Sequence, residues 1–286
     1  MKTILLLFTA SVCYSFCFAQ TDTTVALKDS VVSKSTLTVG AVYADNASYY
    51  GQKAIEKTPY LAIAASYRLK NGIYFSGLSY RLLNEKTGTV SAGGLGAGIS
   101  GKLFKRFSAD LNYSHSFFAA YSPLLQAGNP DNASLGLVYE NWLNVSLTGD
   151  YAFGKTSDEF VTGGLSKSVN LFSIGKKDIV RINPSADAVV GTQHFYQTYL
   201  QQQKLRDSVL GIILNQLTGS PPQPGSKTTV TTAFNLLSYN LKLPLSYNRA
   251  HYLLEACYQL SVLSSQAQSG AGKTNSFFTA SFYYQF

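Results

Sequence analysis

The chain alternates. In residues 107–117 one phase reads Phe107, Ala109, Leu111, Tyr113, His115, Phe117 and the other Ser108, Asp110, Asn112, Ser114, Ser116. A period of two with apolar side chains on one phase predicts a strand with one greasy and one wet face. Asn144–Phe153 repeats the pattern, with Val145, Leu147, Tyr151 and Phe153 against Asn144, Ser146, Thr148 and Asp150. Val180–Val190 does so with Val180, Ile182, Ala186, Ala188 and Val190 against Arg181, Asn183, Ser185 and Asp187. Further strands are expected at Leu37–Tyr43, Leu61–Tyr67, Ile73–Leu83, Leu95–Leu103, Leu135–Tyr139, Val161–Leu171, Leu237–Leu245 and Tyr252–Val262, Ile73–Leu83 being ambiguous in phase. The closing stretch carries Phe278, Ala280, Phe282, Tyr284 and Phe286 on one phase, giving twelve strands in all.

The connections alternate too. Short links fall at residues 70–72, 104–106, 140–143, 173–177 and 246–250; mostly longer ones fall at 44–59, 84–94, 118–133, 154–160, 191–232 and 263–276. Short turns at one end and long loops at the other are the signature of a transmembrane barrel. Aromatics gather near both strand ends: Tyr67, Phe104, Tyr139, Trp142, Phe172, Tyr252 and Tyr284 on the turn side, Tyr43, Tyr60, Tyr80, Phe117, Phe153 and Phe278 on the loop side. Two interfacial girdles would produce that distribution. The expected fold is therefore all-β: a transmembrane antiparallel up-and-down β-barrel of about twelve strands over residues 35–286, with short periplasmic turns and longer extracellular loops.

Composition separates this reading from a soluble sandwich. Charged residues make up 13% of the 286 and aromatics another 13%, whereas soluble domains carry roughly a quarter charged residues. No segment after the first twenty residues approaches the ~20 apolar residues of a membrane helix. The net charge of +8 is spread over residues such as Lys53, Lys57, Lys176 and Lys177 without a nucleic-acid-reading motif, so no nucleic-acid partner is expected.

The final aromatic phase, ending on a carboxy-terminal Phe286 with Tyr284 and Phe282 before it, resembles the closing strand and assembly signal of Gram-negative outer-membrane β-barrels. The resemblance implies outer-membrane lipid and the barrel-assembly machinery as partners, the latter through this strand. The start of the chain agrees: Lys2, the apolar run Ile4 to Phe18 and Ala19 before Gln20 read as a signal peptide over residues 1–19. Residues 20–34 read as a periplasmic tail. Cleavage after Ala19 would remove Cys13 and Cys17 and leave Cys257 alone, which argues against a disulfide or a cysteine-based metal site.

With the polar phase inward, the lumen would carry Arg68, Arg81, Lys102, Asp110, Glu140, Asp150, Arg181, Asp187, Lys242 and Glu255. A salt-bridged internal network and a polar conduit for small hydrophilic solutes both fit this balanced set. Barrels of about eight strands fill their own interiors and those of about sixteen hold an aqueous channel; twelve lies between. Residues 191–232 form the longest interruption. Its first half, Gln193–Leu217, has apolar spacings of a short amphipathic helix ahead of the breaker Gly219–Gly225. Either a lid or plug at the mouth, or a loop resting on the rim, would suit it. Lys167 violates the lipid-facing phase between Leu165 and Val169, a discrepancy that a β-bulge, a protein contact or a slip in register would remove.

Catalytic chemistry has little support. Outer-membrane phospholipases place a His and a Ser two residues apart on the outer wall. Here His115 is followed at that spacing by Phe117, and Ser116 points the other way. His194 and His251 lie in separate connections, and no cofactor or metal site is expected. The function classes left are a narrow passive pore, a closed structural or interaction barrel working through its loops, and, behind both, an outer-membrane hydrolase.

Overall fold

The computed structural model describes residues 34–85, 90–119, 122–196, 198–201, 203, 233–267 and 273–286. The signal-peptide and tail readings, and most of the expected helix after Gln193, fall outside these residues. The described chain forms fourteen strands in one antiparallel sheet: β1 Thr36–Ala44, β2 Tyr60–Arg68, β3 Ile73–Leu82, β4 Ala92–Phe104, β5 Phe107–Phe118, β6 Asp131–Tyr139, β7 Asn144–Phe153, β8 Ser157–Ser166, β9 Val169–Phe172, β10 Asp178–Ile182, β11 Ser185–Gly191, β12 Asn235–Arg249, β13 Tyr252–Leu263 and β14 Thr274–Gln285. Strands β8 and β9 are successive parts of one stave. So are β10 and β11, which both pair with β12. Twelve staves remain, and β1 pairing with β14 closes the ring. Phe286 continues the seam, its amide donating to the Leu37 carbonyl at 2.8 Å.

The interruption of those two staves has a local cause. Pro184 has no N–H to give the ladder, and the chain breaks there and at Lys167–Ser168 opposite. The Lys167 amide instead donates to the Pro184 carbonyl at 3.1 Å. This break also settles the anomaly at Lys167. It sits where the ladder fails, close to the turn end, with its ammonium 5.0 Å from the centre of the Trp142 ring. Near an interface the cost of a lysine falls to about 0–1 kcal/mol.

The outer wall is apolar. Ile63, Phe75, Leu95, Ile99, Leu111, Phe117, Leu135, Leu241, Leu254 and Phe282 all expose their side chains, while their strand neighbours point into the barrel. A closed sheet with no free backbone edge across its middle and a greasy exterior suits hydrocarbon and would aggregate in water. The protein is a transmembrane β-barrel of the outer-membrane type. On the turn side Tyr67, Phe104, Tyr139, Trp142, Phe172 and Tyr284 are exposed as a girdle. On the loop side two expected members are misplaced. Tyr60 and Tyr80 point inward, edge to face with ring centres 5.3 Å apart, in an apolar cluster with Ala62, Leu82 and Leu124.

The same stave corrects a charged residue. Arg81 pairs with Leu61, which is on the outer wall. Cross-strand partners share a face, so Arg81 points outward near the loop-side rim and not into the lumen. The expected connection at 154–160 shrinks to residues 154–156, and β6 begins at Asp131, four positions before the expected start. At Leu237 a bulge between Val189 and Val190 of β11 and their β12 partners turns a residue that shares the alternate phase of the exposed Tyr239 and Leu241 into the interior, where it is fully buried.

Candidate functional site: a plugged lumen

The lumen holds a cavity of about 880 Å³ that runs from the turn side up to Asn46, Ser48 and Tyr60 on the loop side. Arg68, Lys102, Asp110, Glu140, Asp150, Asp187, Lys242 and Glu255 line it, together with serines, asparagines and glycines of the inward phase. Arg181 is also on the inward phase, paired with Ser246, but it is buried beside Asn170, whose Oδ1 accepts from its Nε at 2.9 Å. The charges are matched locally. Lys242 Nζ lies 2.9 Å from Asp187 Oδ2, both largely shielded from solvent. Lys102 Nζ lies 3.2 Å from Glu140 Oε2 at the exposed rim. The Arg68 guanidinium sits over the Tyr74 ring at 5.4 Å, and the Tyr74 hydroxyl donates to Asp110 Oδ1 at 2.9 Å. Tyr74 lies flat on the wall because Gly98 leaves room for its ring; a Cβ there would meet Tyr74 Cζ at 2.5 Å. Bulk that would otherwise cross the lumen is laid against its side.

The loop side is different. The connection 45–59 folds back as a hairpin whose tip enters the barrel. Its neck is fixed by Asn46 Oδ1, which accepts from the Thr58 amide at 2.9 Å and the Thr58 hydroxyl at 2.7 Å. Its tip is a two-residue turn, Tyr50-Gly51, closed by a reciprocal pair of hydrogen bonds between Tyr49 and Gln52. Both tip residues have positive φ, 51° and 80°, the signature of the type I′ turn. A bulky aromatic at positive φ is strained, at a cost of order 1–3 kcal/mol, and persists only where its surroundings hold it. They do. Ser238 Oγ donates to the Tyr50 carbonyl at 2.8 Å and Asn275 Nδ2 to the Gly51 carbonyl at 3.0 Å. The Tyr50 ring stacks on Phe160 with centres 3.7 Å apart.

Around this tip an apolar cluster fills the mouth: Tyr49, Tyr50, Leu125, Phe160, Phe195, Tyr196, Tyr199 and Leu237 are all buried. Leu125 belongs to a single turn of 3-10 helix, Leu125–Gly128. Phe195, Tyr196 and Tyr199 belong to the helical residues 194–196 and 198–201. Asp158 ties the cap together. Its fully buried carboxylate accepts from Asn129 Nδ2, the Thr192 hydroxyl and the amides of His194 and Phe195, each at 2.7 Å. His194 Nδ1 is 3.1 Å from the same group. The Tyr199 hydroxyl accepts from the Ile55 amide at 3.1 Å, joining the helical stretch to the plug hairpin. Burial, and after it the charge of Asp150, push the Tyr50 phenol well above the ordinary tyrosine range.

The described beginning of 191–232 helps cap the mouth, and the rest of that connection lies outside the described residues. Among the described residues the segment that enters the barrel is 45–59, which sequence reading treats as an ordinary connection. The signal available was Tyr49-Tyr50-Gly51, two aromatics ahead of a glycine in a stretch otherwise small and polar.

On the outer wall near the loop-side rim, His115 Nδ1 lies 2.7 Å from Asp131 Oδ1, its register partner, and the Tyr113 hydroxyl donates to the same oxygen at 2.5 Å. A base and an orienting acid are therefore present. The other neighbours of His115 on that face are Leu95 and Phe117, whose ring meets the imidazole edge to face at 4.7 Å, and neither of these two offers a nucleophile. At the seam Phe282, Tyr284 and Phe286 are exposed on the outer wall, the last two with ring centres 4.7 Å apart.

No protein-family description matches the sequence, and no curated relative does. Among solved structures the chain is similar to the KdgM porin, with 11% identity and a TM-score of 0.44 over 88% of this chain and 99% of that one. It is similar also to the NanC porin, with 9% identity and a TM-score of 0.43 over 87% and 98%. A third similar structure is LpxR from Salmonella typhimurium, with 8% identity and a TM-score of 0.47 over 87% and 99%.

Proposed function

We propose that the chain is a narrow outer-membrane pore for small hydrophilic solutes, with its lumen open toward the periplasm and its outer mouth closed by the inserted hairpin 45–59 and the two loop segments packed on it. The observation that carries this reading is the cavity of about 880 Å³ lined by polar and paired charged groups. It has room for roughly 30 waters at ~30 Å³ each. Barrels of about eight strands fill their interior with their own side chains, and here the twelve staves leave that space open. The stopper is made of loops and not of the wall, so the lumen opens without any change in strand pairing.

A second reading, a permanently closed barrel acting through its loops, draws on the burial of Tyr50, Phe160, Phe195 and Leu237 across the mouth. Planar-bilayer recording separates the two. Residues 47–57 are replaced by a short Gly-Ser linker, leaving the Asn46 and Thr58 neck, and folding is checked by heat-modifiable migration on a gel. The wild type should give rare steps and the replacement frequent ones. Cys257, which lines the cavity, supplies the control: a small charged methanethiosulfonate should reduce the current, and Cys257→Ser should abolish that reduction. A folded replacement without channel steps would establish the closed barrel and end the pore reading.

A further inference from the structure

The plug tip and the wall beneath it do not fit one another completely. The wall donates twice to the hairpin, from Ser238 Oγ and Asn275 Nδ2 to the two tip carbonyls. A backbone turn offers those carbonyls but has few donors to give back. Several polar atoms of the wall around the tip are left over: Asn275 Oδ1, Thr162 Oγ1 and Asn132 Oδ1 are buried with no hydrogen-bond partner. Both amide atoms of Gln52 in the plug, a residue with no solvent exposure, are in the same condition. Buried polar groups are nearly always paired, and a ring of exceptions around one inserted loop needs a cause.

The wall is also organised beyond what the tip uses. Asn240 Nδ2 donates to Asp187 Oδ1 at 2.6 Å and to Ser238 Oγ at 3.2 Å, and Gln259 Nε2 donates to Ser261 Oγ at 2.9 Å. Charge there is already neutralised, since Asp187 carries Lys242. One stave beyond β11 from this amide and hydroxyl wall stands the flat face of Phe160, which the Tyr50 ring covers in the plugged state.

We infer that the plug tip occupies a binding site for a neutral polyhydroxylated ring, of the saccharide class, and acts as an internal competitor for it. The inference rests on the pore reading for its place in transport, but the site is testable without conduction. A hydroxyl both donates and accepts, so a polyol engages the Ser238 and Asn275 donors as the tip carbonyls do and also supplies hydrogens to the stranded acceptors. The C–H face of a pyranose takes the place of the Tyr50 ring on Phe160. An anionic solute finds no uncompensated cation at this height, because Lys242 is held by Asp187. A peptide repeats the shortage of donors that the hairpin already shows.

Equilibrium dialysis of purified, heat-modifiable protein tests this with maltotriose as the neutral probe, the matching triuronate as its anionic counterpart and triglycine as the peptide. Maltotriose should bind the variant lacking residues 47–57 at least tenfold tighter than the wild type, where the hairpin competes. Within that variant Asn275→Ala and Phe160→Ala should each weaken binding at least fivefold, while Arg81→Ala, on the outer wall, should leave it unchanged. Equal binding of maltotriose to wild type and variant overturns the inference, as does tighter binding of the triuronate or of triglycine. A variant that binds maltotriose but gives no channel steps leaves the site standing and removes the pore.

Discussion

The two ends of the lumen are built by the same strands on the same alternation, yet they are filled by different means. Toward the periplasm the wall supplies its own contents: charges matched across neighbouring staves, a tyrosine laid flat on a glycine, and open space. Toward the outside the wall supplies small polar groups and Phe160, and three loops supply the bulk. Tyr50 alone ties the hairpin to β7, β8 and β12 through Asp150, Phe160 and Ser238. Closure made by wall side chains could be undone only by repacking the barrel. Closure made by a loop is an equilibrium between two positions of one segment, and its bias is open to single substitutions.

The tip turn offers the largest such bias. At Gly51 a Cβ would lie 2.5 Å from Asn240 Oδ1 and 2.9 Å from Ser238 Oγ, on a backbone with φ of 80°. Gly51→Val should therefore cost the plugged state about 3 kcal/mol from strain and overpacking, a shift of roughly a hundredfold toward the open state. The open fraction in bilayers measures it. A Gly51→Val protein as silent as the wild type, beside a conducting 47–57 replacement, would show that the tip does not hold the mouth shut.

Asp158 should come next. It collects four donors from two separate loops, and Asp158→Ala strands them at a cost of about 2–4 kcal/mol, part of which returning water offsets. The cap should become at least tenfold more sensitive to limited proteolysis, while the barrel stays heat-modifiable because none of its ladder bonds involve that carboxylate. Unchanged protease resistance would mean that the apolar cluster alone secures the cap.

How far the sequence reveals these two ends follows from the same division. The staves are legible because lipid outside and water inside impose opposite demands on alternate residues, and Asp110, Asp150, Asp187 and Lys242 declare their inward phase by being charged. In β3 the contrast fades. Its inward residues Leu78, Tyr80 and Leu82 meet loop residues and not water, so both phases look apolar and Arg81 is assigned to the wrong side. The plug is harder still. Its contacts join residues 188 and 224 positions apart, and no local period records them. Only the strained Tyr-Gly turn leaves a trace. Pro184, by contrast, reports its own break, and with it the reason why Lys167 leaves the lipid-facing pattern.

The Tyr50 phenol gives a smaller effect that separates plug from wall by pH. Its plugged-state pKa lies well above that of a free tyrosine, which titrates near ~10. The neutral phenol is thus favoured in the plugged state, and that preference is fully present below about pH 10 and lost as pH rises beyond it. Open fraction should be flat from about pH 6 to 9 and then climb by up to tenfold per pH unit. Tyr50→Phe should remove the climb. If the alkaline opening persisted unchanged in Tyr50→Phe, another group would control it.

The smallest effect probes the periplasmic end, where substitutions should change what passes and not whether the mouth is open. Lys242→Met leaves the Asp187 carboxylate facing the cavity with only Asn240 and no ammonium. In the 47–57 replacement this substitution should move the reversal potential under a salt gradient toward that of cations, a several-fold change in selectivity, because a single uncompensated charge now faces a narrow aqueous path. Asp187→Asn should move it the other way, since Lys242 then lacks its counterion. The plugged wild type should respond to neither change in open fraction, because the pair lies below the tip and donates nothing to it. If both substitutions opened the wild-type mouth instead, the two ends of the lumen would be one coupled unit, and the division between a self-filled lower lumen and a loop-filled mouth would fail.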